Sequence, residues 1–347
     1  MYRVSVSSLK QIMISVLSQR KLTNQHIEYV VNGLIEASIR GIDTHGIRLF
    51  PTYIRELDGG RSLANPTFKF EQASGGVMKI DAGNALGLVA GMVATSSAIK
   101  LAKEQGIAAV AVENSNHFGA ASYYTLTMAR EGLLGMSFTH SDALVAPFNG
   151  VVPLFGTNPL SYAAPGEKDE IFCLDMSTSQ ICYSKIENCR QTGISLKEGW
   201  AVNKNGHDAS ISNEVSALKP LGNHKGQGLA MFVEILCAIL ANAPFDHELS
   251  HFYSEPFDKP RKIGHFFIAL NIEVFQNLSF FKKRMSQLMA ITREQETPLI
   301  DSIIVPGDIE TVSTYERVRF GIPLNKNEFS DFEALSKEVD RELEILE

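Results

Sequence analysis

The chain has 347 residues, of which 44% are hydrophobic and 20% are charged. That composition is typical of a globular protein and excludes a disordered or fibrous chain. The length suits about two domains or one larger α/β unit, and a core of that size needs no metal or disulfide. Lys and Arg number 32 and Asp and Glu number 39, which gives a formal net charge of −7. Since non-specific nucleic-acid-binding proteins are basic, that class is disfavoured.

The cysteines and the apolar segments indicate a reducing compartment. The 4 cysteines form no C-x-x-C pair, so we predict neither a disulfide framework nor a metal site. The N-terminal segment lacks the apolar core and the cleavage site of a secretory signal. The longest apolar run, residues 228–244, is short for a bilayer span and contains Glu234. We therefore expect a cytoplasmic protein that binds neither a membrane nor nucleic acid.

The N-terminal part has the apolar spacing of helices. We predict helices over residues 8–19 and 24–40, the second beginning at Thr23 or Asn24 and ending at Gly41. A third helix is predicted over residues 47–57. The turn between the second and third helices is polar and glycine-bounded, so this part is expected to form a helical unit.

After Pro66 the sequence alternates between strand-like and helix-like segments. Apolar runs of this length, bounded by turn residues, are typical of strands buried on both faces. Residues 185–217 are polar and weakly patterned, which predicts a long and therefore functional or disordered loop. The predicted strands are residues 76–80, 107–112, 134–138, 172–176 and 265–272, and the predicted helices are residues 88–104, 118–130, 226–241, 279–293 and 331–346.

General motifs for nucleotide binding and hydrolysis are absent from the sequence. No G-x-G-x-x-G follows a predicted strand, and the nearest approach, residues 226–231, lacks the third glycine and follows a loop. The phosphate loop, H-E-x-x-H and G-x-S-x-G are also missing. These templates alone indicate only an α/β protein.

A first polar cluster lies in the turn after the second predicted helix. His45 and Arg48 are three residues apart, which predicts one face of a starting helix. An imidazole that donates a proton beside a guanidinium that binds a carboxylate suits a small 2-oxo acid. The alternative is a capping turn with a surface arginine and a hydrogen-bonded histidine, and the residues alone leave both open.

Further polar clusters follow predicted strands. His117 comes soon after the apolar run that ends at Val112, and ligands of open α/β sheets collect beyond the carboxyl ends of strands. The alternative is a loop in which Ser115 or Asn116 caps a helix. Turns that combine small residues with amide, hydroxyl or ammonium donors, which suit phosphate and ribose, lie at residues 155–159, 174–179 and 222–226, although such a turn alone is more often structural.

A series of motifs in fixed order gives the chain a family resemblance. The chain resembles the malate/L-lactate dehydrogenase family, which is unrelated to the Rossmann-type enzymes of the same name. The motifs span nearly the whole sequence and are Arg40-Gly41-Ile42-Asp43-Thr44-His45-Gly46, Asn116-His117-Phe118-Gly119, Gly156-Thr157-Asn158-Pro159, Asp175-Met176-Ser177-Thr178-Ser179, Glu198-Gly199-Trp200-Ala201, residues 221–228, Gly264-His265-Phe266 and Pro306-Gly307.

The resemblance implies a fold and an activity. The fold is α/β and non-Rossmann, with a central mixed-sheet domain over residues 71–309 and a helical subdomain from both termini, residues 1–70 and 310–347. The activity is an NAD- or NADP-dependent oxidoreductase, working as a homodimer, that interconverts a small 2-hydroxy acid and its 2-oxo acid by hydride transfer.

The resemblance also implies roles for individual residues. The proton donor and acceptor is His45, preceded by Thr44; the second histidine of the site is His117, and Arg48 is expected to bind the substrate carboxylate. Contacts to the dinucleotide fall on Ile171, Phe172, Cys173, Leu174, Asp175, Met176, Ser177, His224, Lys225, Gly307, Asp308 and Ile309.

Two alternatives to a 2-hydroxy acid dehydrogenase remain open. One is a reductase of a cyclic or open imine next to a carboxylate, since an iminium carbon accepts hydride in the same way. The other is a catalytically silent nucleotide-binding homologue. Residues 180–185 replace the family's small residues and Gly-Lys pair, and Asn223 replaces a frequent glycine. These departures leave both the substrate and the choice of cofactor undetermined.

Overall fold

Helices at the chain ends and a central sheet organise the chain, of which the computed structural model describes residues 1–298 and 302–346. The helices are α1 (Val6–Gln19), α2 (Asn24–Ile39), α3 (Phe50–Gly59), α4 (Gly87–Gln105), α5 (Ser122–Arg130), α6 (Tyr183–Thr192), α7 (His224–Glu234), α8 (Leu278–Arg293), α9 (Asp308–Phe320) and α10 (Lys326–Glu338). The strands are β1 (Tyr2–Val4), β2 (Lys69–Ser74), β3 (Val77–Asp81), β4 (Ile107–Ser115), β5 (Leu133–Thr139), β6 (Leu160–Pro165), β7 (Ile171–Met176), β8 (Ala201–Val202), β9 (Ala217–Leu218), β10 (Ile263–Asn271), β11 (Ile322–Leu324) and β12 (Ile345–Leu346).

The central sheet is mixed, as the resemblance implied. Its strand order is β2-β3-β4-β10-β5-β6-β7, in which β3 and β4 are parallel and the other neighbours are antiparallel. On one face Val110 of β4 and Phe267 of β10 share the main core with α4. On the other face Phe266 of β10 packs with Val233 of α7 and with Cys237 just after it. Because both faces are covered, the central strands are mostly apolar.

The two ends of the chain meet in a small sheet of order β11-β1-β12. Ser8 Oγ donates to the carbonyl of Glu342 at 2.8 Å, and Arg20 forms ion pairs with Asp58 and Glu338 at 2.8 and 3.0 Å. Apolar residues of α1 and α2 share one continuous core with α4 and β4. The ends therefore form a helical layer on the sheet, and the domain boundaries near residues 70 and 310 stay a prediction.

The predicted helix over residues 331–346 is wrong at both ends. α10 begins at Lys326 because the Asn325 side chain accepts two N–H groups of the first turn and Glu328 completes a capping box. The helix ends at Glu338, and the chain then forms β12, whose partner β1 lies at the other end of the sequence. A pairing across that distance leaves no local signal.

The prediction of a loop over residues 185–217 is also wrong in part, since it contains most of α6 as well as β8 and β9. α6 buries Ile186 and Cys189 and is otherwise polar or exposed. α9 was not predicted at all, and within the described part of the chain none of its residues is buried. A helix without a buried apolar stripe lacks the regular spacing of apolar residues from which helices are predicted.

No helix in the described ranges is long and apolar enough to cross a membrane.

Candidate active site

A cavity of about 300 Å³ lies where the turn after α2 meets the carboxyl ends of β4 and β7. We call it the first cavity. Its walls include the four residues predicted as catalytic, Thr44, His45, Arg48 and His117, and also Asp175. Segments far apart in the sequence thus converge on one space of a size that suits a small ligand.

The turn that carries His45 is held by close packing. A Cβ on Gly46 would lie 2.1 Å from Ser38 Oγ, so glycine is required there. From α9, Arg317 forms an ion pair with Asp43 and donates to the carbonyl of Ser38 at 2.7 Å. The backbone on both sides of His45 is therefore fixed by α2 and α9.

His45 and Arg48 do not lie on one helix, which corrects the sequence prediction. They belong to two successive 3₁₀ turns, and α3 begins only at Phe50. Gly46 separates the turns because its backbone is extended, with φ −92° and ψ −152°. Both side chains still line the first cavity.

Each of the two histidines has one ring nitrogen engaged by a neighbour. His45 Nδ1 lies 2.8 Å from Thr44 Oγ1. His117 Nδ1 lies 2.7 Å from the hydroxyl of Tyr53 and accepts the N–H of Gly119 at 3.4 Å. Because Nδ1 of His117 is an acceptor, its ring proton is on Nε2. The two rings stack with centroids 5.8 Å apart and an interplanar angle of 13°.

Burial lowers the pKa of both histidines, but their neighbours differ. For His45, burial lowers the pKa most, the charge of Asp175 raises it and the charge of Arg48 lowers it. For His117, burial holds the pKa well below its ordinary value, and the charges of His45 and Arg261 lower it further. His117 therefore stays a neutral hydrogen-bond donor, whereas His45 has a carboxylate nearby that favours its protonated form.

Asp175 has a position that sequence reasoning did not anticipate. It was predicted only as a cofactor contact, yet its Oδ2 accepts the N–H of Ser122 at 2.8 Å. Ser122 is the first residue of α5, and the N-terminus of a helix stabilises a carboxylate. The chemistry of an aspartate at the carboxyl end of a strand was visible in the sequence, whereas its proximity to His45 was not.

A segment before β10 completes the first cavity and was also missed. Phe252 and Tyr253 line it, and the Phe252 ring lies 4.6 Å from that of His117. Arg61, which is 1% exposed, donates to the carbonyls of Phe252 and Ser254 at 2.9 and 2.6 Å. Arg61 thus fixes a segment that lies far from it in sequence.

The residues of β7 that are predicted to contact the dinucleotide extend from one cavity to another. The first cavity is lined by Asp175, Met176 and Ser177, and a second cavity of about 630 Å³ is lined by Ile171, Gly307 and Asp308. Phe172, Cys173 and Leu174 lie between them on β7. At a strand rise of about 3.3 Å per residue, the two groups are about 13 Å apart. β7 therefore offers a continuous edge between the cavities.

The turn before α9 packs directly on the start of β7. Gly307 has φ +108°, and a Cβ there would lie 3.1 Å from the carbonyl oxygen of Ile171. The carboxylate of Asp308 is already engaged by Arg293 at 2.7 Å. Ile309 is 61% exposed. The turn is thus held against β7 by its backbone and by Arg293, and the roles of Gly307, Asp308 and Ile309 as cofactor contacts stay a prediction.

His224 and Lys225 lie at the N-terminus of α7, where both are exposed. Neither belongs to the described lining of the first or the second cavity. The loop before them runs beside the segment after β7, since the N–H of Leu221 donates to the carbonyl of Thr178 at 2.9 Å. The free N–H groups of a helix N-terminus attract anions. Their role as cofactor contacts stays a prediction.

A buried cluster of one histidine and two carboxylates lies next to this site, and its polar atoms are close enough together to hold a metal ion. The positions of its protons argue against such a role. The polar atoms of His140, Glu234 and Asp246 lie within 4.8 Å of one another. His140 Nε2 accepts the N–H of Gly264 at 2.8 Å, so Nδ1 carries the ring proton and lies 3.1 Å from Asp246 Oδ1. Burial raises the pKa of Glu234 to about 8. A metal needs a free nitrogen lone pair, and the sequence prediction of no metal site stays a prediction.

Comparison with known proteins gives related chains over almost the full length. The family model described as malate/L-lactate dehydrogenase matches residues 4–333. The chain is 33% identical to malate dehydrogenase of Pyrococcus horikoshii, covering 97% of this chain and 95% of that one. It is 32% identical to ureidoglycolate dehydrogenase (NAD(+)) of Escherichia coli O157:H7, covering 93% and 92%. It is 31% identical to (2R)-3-sulfolactate dehydrogenase (NADP(+)) of Chromohalobacter salexigens, covering 77% and 80%.

Solved structures agree with these sequence relatives. Malate dehydrogenase from Entamoeba histolytica superposes with a TM-score of 0.92 at 30% identity, covering 98% of this chain and 99% of that one. Delta1-piperideine-2-carboxylate reductase from Pseudomonas syringae pvar. tomato superposes with a TM-score of 0.85 at 25% identity, covering 96% and 100%. The fold class and the enzyme class predicted from the sequence are confirmed: the chain belongs to the malate/L-lactate dehydrogenase family and is a nicotinamide-dependent oxidoreductase.

Proposed function

We propose that this chain interconverts a small 2-hydroxy acid and its 2-oxo acid by hydride transfer. The observation that carries the proposal is the convergence of His45, His117 and Arg48 on one cavity, with Nδ1 of each histidine engaged by a neighbour. A 2-oxo acid needs a proton for its oxygen and a cation for its carboxylate, and this set supplies both.

His45 moves the proton in the proposed mechanism. In reduction, protonated His45 keeps Nδ1 on Thr44 and gives its Nε2 proton to the oxygen at C2. In oxidation, Nε2 takes that proton back, a role that suits an imidazole. Asp175 favours the charged form, since its carboxylate raises the pKa of His45 against the effect of burial.

His117 and Arg48 hold the substrate. Nε2–H of His117 donates to the same oxygen, because Nδ1 already accepts from Tyr53 and Gly119. The guanidinium of Arg48 binds the carboxylate with two parallel hydrogen bonds. Together they fix C2 relative to the proton donor, and such positioning is a large part of catalysis.

The residues along β7 fit a dinucleotide. β7 connects the two cavities. At its start the backbone of Gly307 packs so closely that a Cβ there would lie 3.1 Å from the carbonyl oxygen of Ile171. Asp175, Met176 and Ser177 would hold the half of NAD or NADP nearest the substrate, and Ile171 and Gly307 the other half. When bound, the nicotinamide supplies the hydride in reduction and accepts it in oxidation.

An imine substrate is the second candidate, supported by the likeness to the piperideine-2-carboxylate reductase. The test is cofactor oxidation measured with several 2-oxo acids and with piperideine-2-carboxylate, using both NADH and NADPH. We expect the 2-oxo acids to give the higher kcat/KM. A higher value for the imine would replace the proposal with that alternative.

The pH dependence of reduction should change when Asp175 is replaced. Reduction needs protonated His45, so kcat/KM falls as the pH rises through the pKa of His45. In Asp175→Asn the charge that raises this pKa is lost, and we expect the fall to move to lower pH. Initial rates across the pH range, with cofactor affinity measured separately, check this.

A matched control for that experiment is Asp331→Asn. Asp331 is exposed on α10 and lines neither cavity, so the same chemical change there should leave the pH profile in place. An unchanged profile in Asp175→Asn, or a move to higher pH, would contradict the role given to Asp175.

We propose that the chain forms a homodimer through the outer face of α7 and the turn after it. Phe232, Ile235, Ile239 and Leu240 are 47%, 45%, 57% and 56% exposed. A contiguous apolar surface of this kind marks a protein contact, and a second copy in a twofold dimer is the commonest solution. We expect a mass in solution about twice that of one chain.

The variant Ile239→Glu tests this surface. A charge in the apolar contact is expected to shift the protein to the mass of one chain in light scattering, whereas Lys283→Glu, on an exposed face of α8, is expected to leave the dimer intact. A wild-type protein that has the mass of one chain at all concentrations would contradict the proposal.

A further inference from the structure

The first turn of α6 forms part of the wall of the first cavity. Cys182, Tyr183, Ser184 and Glu187 line it together with Arg48. The side chain of Glu187 is half-buried, so its carboxylate acts on a bound substrate with less screening than a surface charge would.

The charged side chains of this cavity are unevenly balanced. Among its described lining residues Arg48 is the only Arg or Lys. Of the four carboxylates there, Asp142 is paired with Arg261, Asp175 accepts a backbone N–H, and Glu187 and Glu310 remain. Within the described ranges the side chain of Glu187 has neither an ion-pair nor a hydrogen-bond partner. Besides the histidines, one cation therefore faces at least one carboxylate that is free to act on a ligand.

Arg48 and Glu187 act on the same part of the cavity. Burial raises the pKa of the Tyr253 hydroxyl, the charge of Arg48 lowers it, and the charge of Glu187 raises it. Both charges thus reach one side chain of the wall. A substrate whose carboxylate is bound by Arg48 lies within the influence of Glu187.

We propose that the substrate of this chain has a single carboxylate and, at its distal end, a neutral or cationic hydrogen-bond donor. This inference rests on the proposed function and narrows it. A second carboxylate or a sulfonate would find no further Arg or Lys among the described residues of the wall and would face Glu187. An amide, ureido or ammonium group would instead donate to that carboxylate, and hydrogen bonds to a charged acceptor are strong.

The test compares two substrates of the same length. Oxaloacetate and the amide of its distal carboxylate differ in one group, which is charged in the first and neutral in the second. For the wild-type enzyme we expect kcat/KM to be about tenfold higher for the amide, since repulsion between like charges in a partly buried site reaches that size. Pyruvate, which has no distal polar group, serves as the reference substrate.

The variant Glu187→Gln locates the effect. It is expected to raise kcat/KM for oxaloacetate about tenfold and to change that for pyruvate less than about twofold. The matched control Glu214→Gln, on an exposed segment outside the cavity lining, should change neither. Equal or better use of oxaloacetate by the wild-type enzyme, with pyruvate reduced, would overturn this inference alone. A protein that reduces none of the three compounds would overturn the proposed function as well.

Discussion

Replacing His45 by glutamine is expected to lower kcat for reduction by about 1,000-fold, because a positioned proton donor contributes about 100- to 10,000-fold. Glutamine retains a hydrogen-bonding group but cannot carry the proton that His45 gives to the substrate oxygen. The neighbouring turn is held by Ser38, Gly46 and Arg317, so the fold should be unaffected. Steady-state kinetics measures kcat, and fluorescence titration measures the affinity for the cofactor.

Two comparisons make the His45 result specific. Cofactor affinity should stay close to that of the wild type, since His45 is expected to contact the substrate. His207→Gln, the same change at an exposed position, should leave kcat unchanged. A His45→Gln variant with normal kcat would show that the proton comes from another group.

Replacing Arg48 by alanine is expected to lower kcat/KM by about 100-fold, mainly through a higher KM. The variant loses the charge-assisted hydrogen bonds to the substrate carboxylate, which contribute about 1.5–3 kcal/mol. Within the described lining of the first cavity there is no second Arg or Lys to replace it. The KM for the 2-oxo acid should therefore rise, whereas the affinity for the cofactor should stay close to that of the wild type.

Lysine at position 48 provides the graded comparison. Arg48→Lys keeps the charge but loses the planar fork, so its KM should fall between those of the wild type and the alanine variant. Arg284→Ala, at an exposed position of α8, should have no effect. Equal KM values for Arg48→Ala and the wild type would place the carboxylate elsewhere.

The sequence was sufficient for the residues that lie in short polar segments next to strongly patterned elements. His45 follows the apolar stripe of α2, and His117 follows the apolar strand β4. Their convergence on one cavity came only from the family resemblance, because no local pattern relates positions so far apart. The extended backbone of Gly46, which separates His45 from Arg48, is likewise set by contact with Ser38.

Other parts of the site depend on tertiary contacts that a sequence pattern does not contain. The effect of Asp175 on His45 arises because β7 is the edge strand beside the first cavity. Arg61 fixes the Phe252 segment through backbone carbonyls, which any sequence offers. α9 holds Asp43 through Arg317. The apolar residues of α9 are exposed, so the sequence has no buried apolar stripe from which this helix could be predicted.

In the proposed mechanism His45, His117 and Arg48 together bind the 2-oxo acid. The most direct measurement is a crystal structure of the wild-type enzyme with a nicotinamide cofactor and oxamate, an unreactive analogue of pyruvate. We expect the oxamate carboxylate on the guanidinium of Arg48 and its carbonyl oxygen within hydrogen-bond distance of Nε2 of both histidines. Oxamate bound outside this cavity, or with its carboxylate turned away from Arg48, would contradict the account.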